Sequence, residues 1–184
     1  IFNNKSPIAQ VPELRQALCG IIRIDDIVRR TLGRFAHPAV GLLPPGILGH
    51  DPGRRQRQPL LREKAIELIK SSSLSTPIRL KAAVHPIFQD RYSDVTEELL
   101  KNWFDIGVQV SMETPTIQSY LDASENAEGF DLLIGRYNAD YDDPDNFTYF
   151  LFHSKVAFFG FYSSAELDKL MEEARVQSEP AARE

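Results

Sequence analysis

From Pro12 onward, Leu14, Ala17, Leu18, Ile21 and Ile22 recur at i, i+3, i+4, i+7 and i+8, which predicts an amphipathic helix with proline in its first turn. The acidic pair Asp25-Asp26 is expected to cap a second short helix carrying Ile27, Val28 and Leu32, with Gly33 closing it in the left-handed region. Between Ala36 and Gly53 the apolar residues are interrupted by Pro38, Gly41, Pro44, Pro45, Gly46, Gly49 and Pro52. That stretch reads as an ordered loop without ladder pairing. Arg54, Arg55 and Arg57 then lead into a helix from about Leu61 to Lys70, and their charges read as a solvated face.

After the Ser71-Ser72-Ser73 turn, Ile78, Leu80, Ala82 and Val84 alternate with a period of two and predict a strand. A helix is expected over Tyr92 to Phe104, with Val95, Leu99, Leu100, Trp103 and Phe104 on its inner side and Gly107 beyond its end. Val108, Val110 and Met112 alternate as a second strand, so the three elements form a βαβ unit with a parallel pair. A short helix around Ile117 to Ala123 precedes the apolar run Phe130 to Gly135, a strand buried on both faces. Directly after it comes the loop Arg136 to Asn146, in the place where open α/β sheets gather their ligands.

The last helix opens on Ser163-Ser164-Ala165-Glu166, read as a capping box, and continues through Leu167, Leu170, Met171 and Ala174. The tail over 178–184 is expected to fray. No internal repeat or interdomain linker interrupts the chain, and 1–184 reads as a single α/β lobe.

Composition narrows the function classes. Within 184 residues, 21 Lys+Arg against 26 Asp+Glu give a formal charge of -5, which argues against a nucleic-acid partner. No stretch approaches the roughly 20 consecutive apolar residues of a spanning helix. The single cysteine, Cys19, has no partner for an internal disulfide and is expected to be an inert buried thiol. The chain begins at Ile1 without a signal-like segment, which reads as a mature or excised piece.

Catalytic and metal motifs are missing. Neither a phosphate-binding glycine loop, a dinucleotide fingerprint nor a nucleophile elbow is present, so no cofactor is expected. His37, His50, His85 and His153 are too scattered for a local metal motif. The acidic loop opens as Asp140-x-Asp142, but an EF-hand frame would place Pro144 at position 5, Asp145 where glycine is required and Leu151 where glutamate is required. Asn146-Phe147-Thr148 fits a glycosylation acceptor triplet that is frequent by chance. No catalytic residues are assigned.

Several segments, in order, resemble one family. They are Arg15 to Leu18, Asp25 to Val28, Pro38-Ala39-Val40-Gly41-Leu42-Leu43-Pro44-Pro45-Gly46, Gly107 to Val110, Phe130 to Leu132, Ala139-Asp140-Tyr141-Asp142-Asp143-Pro144, Tyr162 to Leu170 and Pro180 to Arg183. Together they resemble the family 5 extracellular solute-binding proteins, the oligopeptide, dipeptide and nickel receptors of ABC importers. The resemblance implies a periplasmic-binding-protein-like (type II) lobe, a mixed and mostly parallel sheet flanked by helices. It implies the contiguous second lobe of a two-lobed receptor, whose first lobe lies outside the chain, and a periplasmic or extracytoplasmic location with a possible lipid anchor. Peptides or other small solutes and the membrane permease subunits are the implied partners, and no enzymatic activity is implied. In peptide-binding members an aspartate of the Ala-Asp-Tyr loop pairs with the peptide ammonium, and the matching residue is Asp140. Tyr137, Asn138, Tyr141 and Phe147 are the neighbouring candidates for the ligand site. Tyr137 stands where tryptophan is common, and Lys155 to Phe161 is unusually aromatic, which leaves nickel chelates, opines and sugars as alternative ligands. A ligand-sensing domain of a transcription regulator is the other alternative.

Overall fold

The computed structural model describes residues 1–156 and 163–183. They gather into two compact units, Ile1–Pro38 with Gln58–Arg136 and Ala39–Arg57 with Tyr137–Glu184.

The first unit is built on three parallel strands, β1 (Ile78–Val84), β2 (Val108–Met112) and β3 (Leu132–Ile134), in the order β2-β1-β3. Ile78 faces Val108 and Ala82 faces Leu132 in register. The central strand buries Ile78, Leu80, Ala82, Ala83 and Val84 and exposes Arg79 and Lys81, so it alternates over its first half and is covered on both faces only at its carboxyl end. Phe2 adds an isolated antiparallel bridge to Leu132, so the sheet is mixed at that edge. The bridge is secured by Asn3, whose buried amide donates to the carbonyls of Ala127 at 3.0 Å and Phe130 at 2.8 Å.

Helices α1 (Pro12–Ile21), α2 (Ile24–Thr31) and α3 (Arg62–Ser71) precede the strands; α4 (Ser93–Phe104) links β1 to β2 and α5 (Ile117–Asn126) links β2 to β3. One apolar core joins Leu14, Ala17, Leu18 and Ile21 of α1 to Ile69 of α3, Trp103 of α4 and the strand residues. Gly20 permits a close approach at the end of α1. A Cβ there would lie 2.4 Å from the Leu60 side chain, and the Leu60 N–H donates to the Gly20 carbonyl at 2.7 Å.

Four local expectations in this unit are revised. Asp25 and Asp26 do not cap α2: Arg23 occupies the cap position without a side-chain bond, and the two acids sit in the first turn, where they favour the helix dipole. Phe104 is 64% exposed, because Trp103 takes the inward direction and the next residue is turned about 100° away. Cys19 is exposed for the same reason, lying between the buried Leu18 and Gly20. Helix α5 runs three residues past Ala123, to Asn126, and closes on Ala127 at φ 55°.

The second unit contains the proline- and glycine-rich segment 39–57 and the helices α6 (Pro144–Phe147), α7 (Tyr149–Phe152), α8 (Ala165–Val176) and α9 (Pro180–Arg183). Segment 39–57 has neither helix nor strand, as expected, and Gly46 and Gly49 take φ of +94° and +82°. Among the described residues, the unit buries Ile47, Asn146, Leu151 and His153. Helix α8 is capped by Ser164, whose hydroxyl accepts from the Leu167 N–H, not by a Ser163–Glu166 box. None of its residues is buried, since an apolar stripe says which face avoids water but not whether anything covers it. The tail expected to fray instead forms α9 and carries Arg183 to a carboxylate of the same unit.

Candidate functional site

The loop that follows β3 in sequence begins the second run of the second unit. Asp143 and Pro144 set its end: Asp143 is extended and accepts from the Asp145 N–H at 2.8 Å, while Pro144 takes the first helical position. A short polar cap followed by proline is the ordinary start of a helix, and here it starts α6.

The four acids of the loop divide into two pairs. Asp143 receives both terminal nitrogens of Arg183, at 2.6 and 2.7 Å, and these bonds hold its carboxyl below the usual range. Asp145 lies 3.2 Å from Nε of Arg175, whose guanidinium stacks 3.9 Å over the Tyr149 ring. Asp140 and Asp142 are exposed, and among the described residues neither has a hydrogen bond or an ion pair. Two carboxylates are therefore structural and two are available.

The aromatic candidates are ordered differently from one another. Tyr137 is half-buried, its hydroxyl donates to Oδ1 of Asn146 at 2.5 Å, and its ring meets Phe147 edge-on at 6.2 Å. Burial and, second, the charge of Asp140 raise the pKa of that hydroxyl and so oppose its ionisation. Tyr141 is exposed, with its hydroxyl 3.4 Å from Asp145. Burial followed by the Asp145 charge raises its pKa as well. Asn138 is exposed and without a hydrogen bond among the described residues, whereas Phe147 is half-buried. The structure thus brings Tyr137 and Phe147 together as a wall and leaves Asn138, Asp140 and Tyr141 open. A cavity of about 210 Å³ in the same unit, walled by residues including Leu43, Asp145, Leu170 and Arg183, is lined by none of the five.

Sequence reasoning passed over Asn146, Arg175 and Arg183. Asn146 is 1% exposed, so the glycosylation triplet is not presented to solvent. A polar residue followed by proline, Asp143-Pro144, is the sequence cue that could have pointed to this local order. Phe158, Phe159 and Phe161 of the aromatic run lie outside the described residues. Among the described residues no group of three His, Cys, Asp or Glu side chains is placed to hold a metal ion, and no helix is long and apolar enough to cross a membrane. What the loop offers chemically is a free carboxylate beside an aromatic wall, an acceptor for a cationic group.

The family description "Bacterial extracellular solute-binding proteins, family 5 Middle" matches residues 1–159. The chain belongs to this family. Its fold is that of the type II periplasmic binding proteins. HbpA2 from Haemophilus parasuis superposes with a TM-score of 0.86 at 21% identity, over 99% of this chain and 37% of that one. The periplasmic binding protein DppA from Helicobacter pylori, in complex with the peptide STSA, gives 0.84 at 23% identity, over 99% and 36%. A dipeptide binding protein from Pseudoalteromonas sp. SM9913, in complex with Met-Leu, gives 0.82 at 21% identity, over 99% and 37%. This family member spans somewhat more than a third of each of those chains. No curated protein matches it.

Proposed function

We propose that this family member is the second-lobe part of an ABC importer receptor and captures short peptides, with Asp140 accepting from the ligand's ammonium group. Both compact units belong to that one lobe in this reading, and a first lobe completes the cleft. The observation that carries the reading is the division of the loop acids. Arginines take Asp143 and Asp145, while Asp140 stays exposed and unpaired next to Tyr137. A carboxylate in water gains little from an ammonium ion, but the same charge-assisted bond strengthens once a closing lobe excludes solvent. The family membership supports an extracytoplasmic solute receptor acting with permease subunits and without catalysis. Two of the superposed proteins were solved with bound peptides, which supports that ligand class.

The test uses the full-length, two-lobed protein. Calorimetry compares a tripeptide carrying a free amino terminus with its N-acetylated form, on the natural protein and on Asp140→Asn. The expected result is an affinity loss of about tenfold to a hundredfold on removing either partner of the bond, with no further loss when both are removed. Equal affinity of the natural protein and Asp140→Asn for the free tripeptide overturns the assignment.

A further inference from the structure

Asn146 uses its amide and its N–H on the loop that precedes it. Nδ2 donates to the Tyr141 carbonyl at 3.1 Å, Oδ1 accepts from the Tyr137 hydroxyl at 2.5 Å, and the backbone N–H donates to the Asp143 carbonyl at 3.1 Å. The two side-chain bonds fall on either side of Asn138-Ala139-Asp140, so one buried amide closes the loop from Tyr137 to Tyr141 upon itself. The position of that amide is fixed in turn. Asn146 lies in the first turn of α6, which Asp143 caps and Arg183 anchors. Phe147, the next residue, holds the Tyr137 ring edge-on.

We infer that Asn146 is the positioning residue of the candidate site: it clamps Tyr137 and Tyr141 so that Asp140 stands in one orientation before ligand arrives. This rests on the reading of Asp140 as the ammonium anchor. Asparagine suits the place because a carboxamide donates and accepts from one planar group; aspartate cannot donate to the Tyr141 carbonyl, and serine is too short to reach both partners. The exposed tip itself, residues 138–140, has no hydrogen bond among the described side chains to hold it. Ordering of the tip therefore comes from its two ends. A tip ordered in advance loses less conformational freedom on binding, and affinity rises accordingly.

The experiment again uses the full-length protein, with Asn146→Ser and Tyr137→Phe, each alone and combined with Asp140→Asn. Calorimetry with the free-amine tripeptide is paired with backbone ¹⁵N order parameters at residues 138–140 and along α8. Asn146→Ser is expected to weaken binding about tenfold when Asp140 is present and to have almost no effect in the Asp140→Asn background. Its order parameters fall at 138–140 and stay unchanged in α8. Tyr137→Phe keeps the ring and removes one of the two bonds, so it shifts both readouts in the same direction by less. An equal loss in both backgrounds, no loss at all, or unchanged order parameters at 138–140 overturns the inference. Should Asn146→Ser fail to fold, Tyr137→Phe decides by the same criteria. If Asp140→Asn binds as well as the natural protein, the anchor reading falls, and the order parameters alone decide whether Asn146 clamps the loop.

Discussion

Arg183 grips the carboxylate of Asp143 with both terminal nitrogens across 40 positions of sequence, in a fork that matches the acid oxygen for oxygen. The side chains are 21% and 29% exposed, so water screens the pair only in part. Oδ1 of the same carboxylate accepts from the Asp145 N–H and starts α6. One acid therefore holds the tail and opens the helix that carries Asn146.

The pair sets a pH dependence whose sign follows from the Arg183 bonds. They lower the Asp143 carboxyl in the folded chain, outweighing the opposing effect of burial. Its stabilisation is present above the unfolded carboxyl value near 3.9 and is lost as pH falls through the lower folded value. Arg183→Met is expected to destabilise the second unit by about 1–2 kcal/mol at pH 7. Thermal unfolding at pH 7 and at about pH 2 checks it. The difference between natural and variant chains should shrink at the acid end; an undiminished difference would assign the effect to packing of the arginine stem.

The unequal roles of the loop acids predict opposite phenotypes. Asp140→Asn removes an exposed, unpaired carboxylate and should change stability by less than about 0.5 kcal/mol. Asp143→Asn keeps a capping oxygen but loses the charge that Arg183 meets, and should cost about 1 kcal/mol or more. Denaturant titration of the two variants side by side is the check. A larger loss from Asp140→Asn than from Asp143→Asn contradicts the division.

Periodicity made the first unit legible: Ile78, Leu80, Ala82 and Val84 announce the central strand, and Leu14, Ala17, Leu18 and Ile21 announce the helix over it. Side chains that act through hydrogen bonds leave no such trace. Asn146 sits in an acidic, proline-containing run and its role is fixed by where a hydroxyl and a carbonyl happen to fall. Arg183 lies in a tail whose composition reads as frayed, and only a partner 40 residues away orders it. Phe104 and Cys19 show the limit of hydrophobicity itself, because a neighbour one step along the helix already occupied the inward direction.

Trp103 offers a test of the core. Its indole N–H donates at 2.9 Å to the Leu18 carbonyl, which lies in the last turn of α1, where helix carbonyls run out of successive amides. Trp103→Phe removes that donor and part of the ring volume, and is expected to destabilise the first unit by about 2–4 kcal/mol. Urea unfolding followed by circular dichroism measures it, with the slope unchanged and the midpoint lowered. A loss below about 1 kcal/mol would mean that the carbonyl finds water or another donor instead.

Gly135, at the carboxyl end of β3, is held to glycine by Tyr120. A Cβ at that position would lie 2.0 Å from the Tyr120 hydroxyl oxygen and 3.1 Å from the ring carbon bearing it. Tyr120 is 3% exposed, so it cannot swing away without opening the core, and Gly135→Ala should cost about 1–3 kcal/mol. Removing the hydroxyl removes the nearest atom, so the same alanine should cost clearly less in a Tyr120→Phe background, and additive losses would contradict the contact. The hydroxyl also has a titration of its own, because burial raises it to about 12 from an ordinary value near 10. Its folded value lies above its unfolded one, so the neutral phenol stabilises the fold fully below pH 10 and that contribution fades as pH rises towards 12. Ultraviolet titration should show a tyrosine ionising only near pH 12, a step that Tyr120→Phe abolishes.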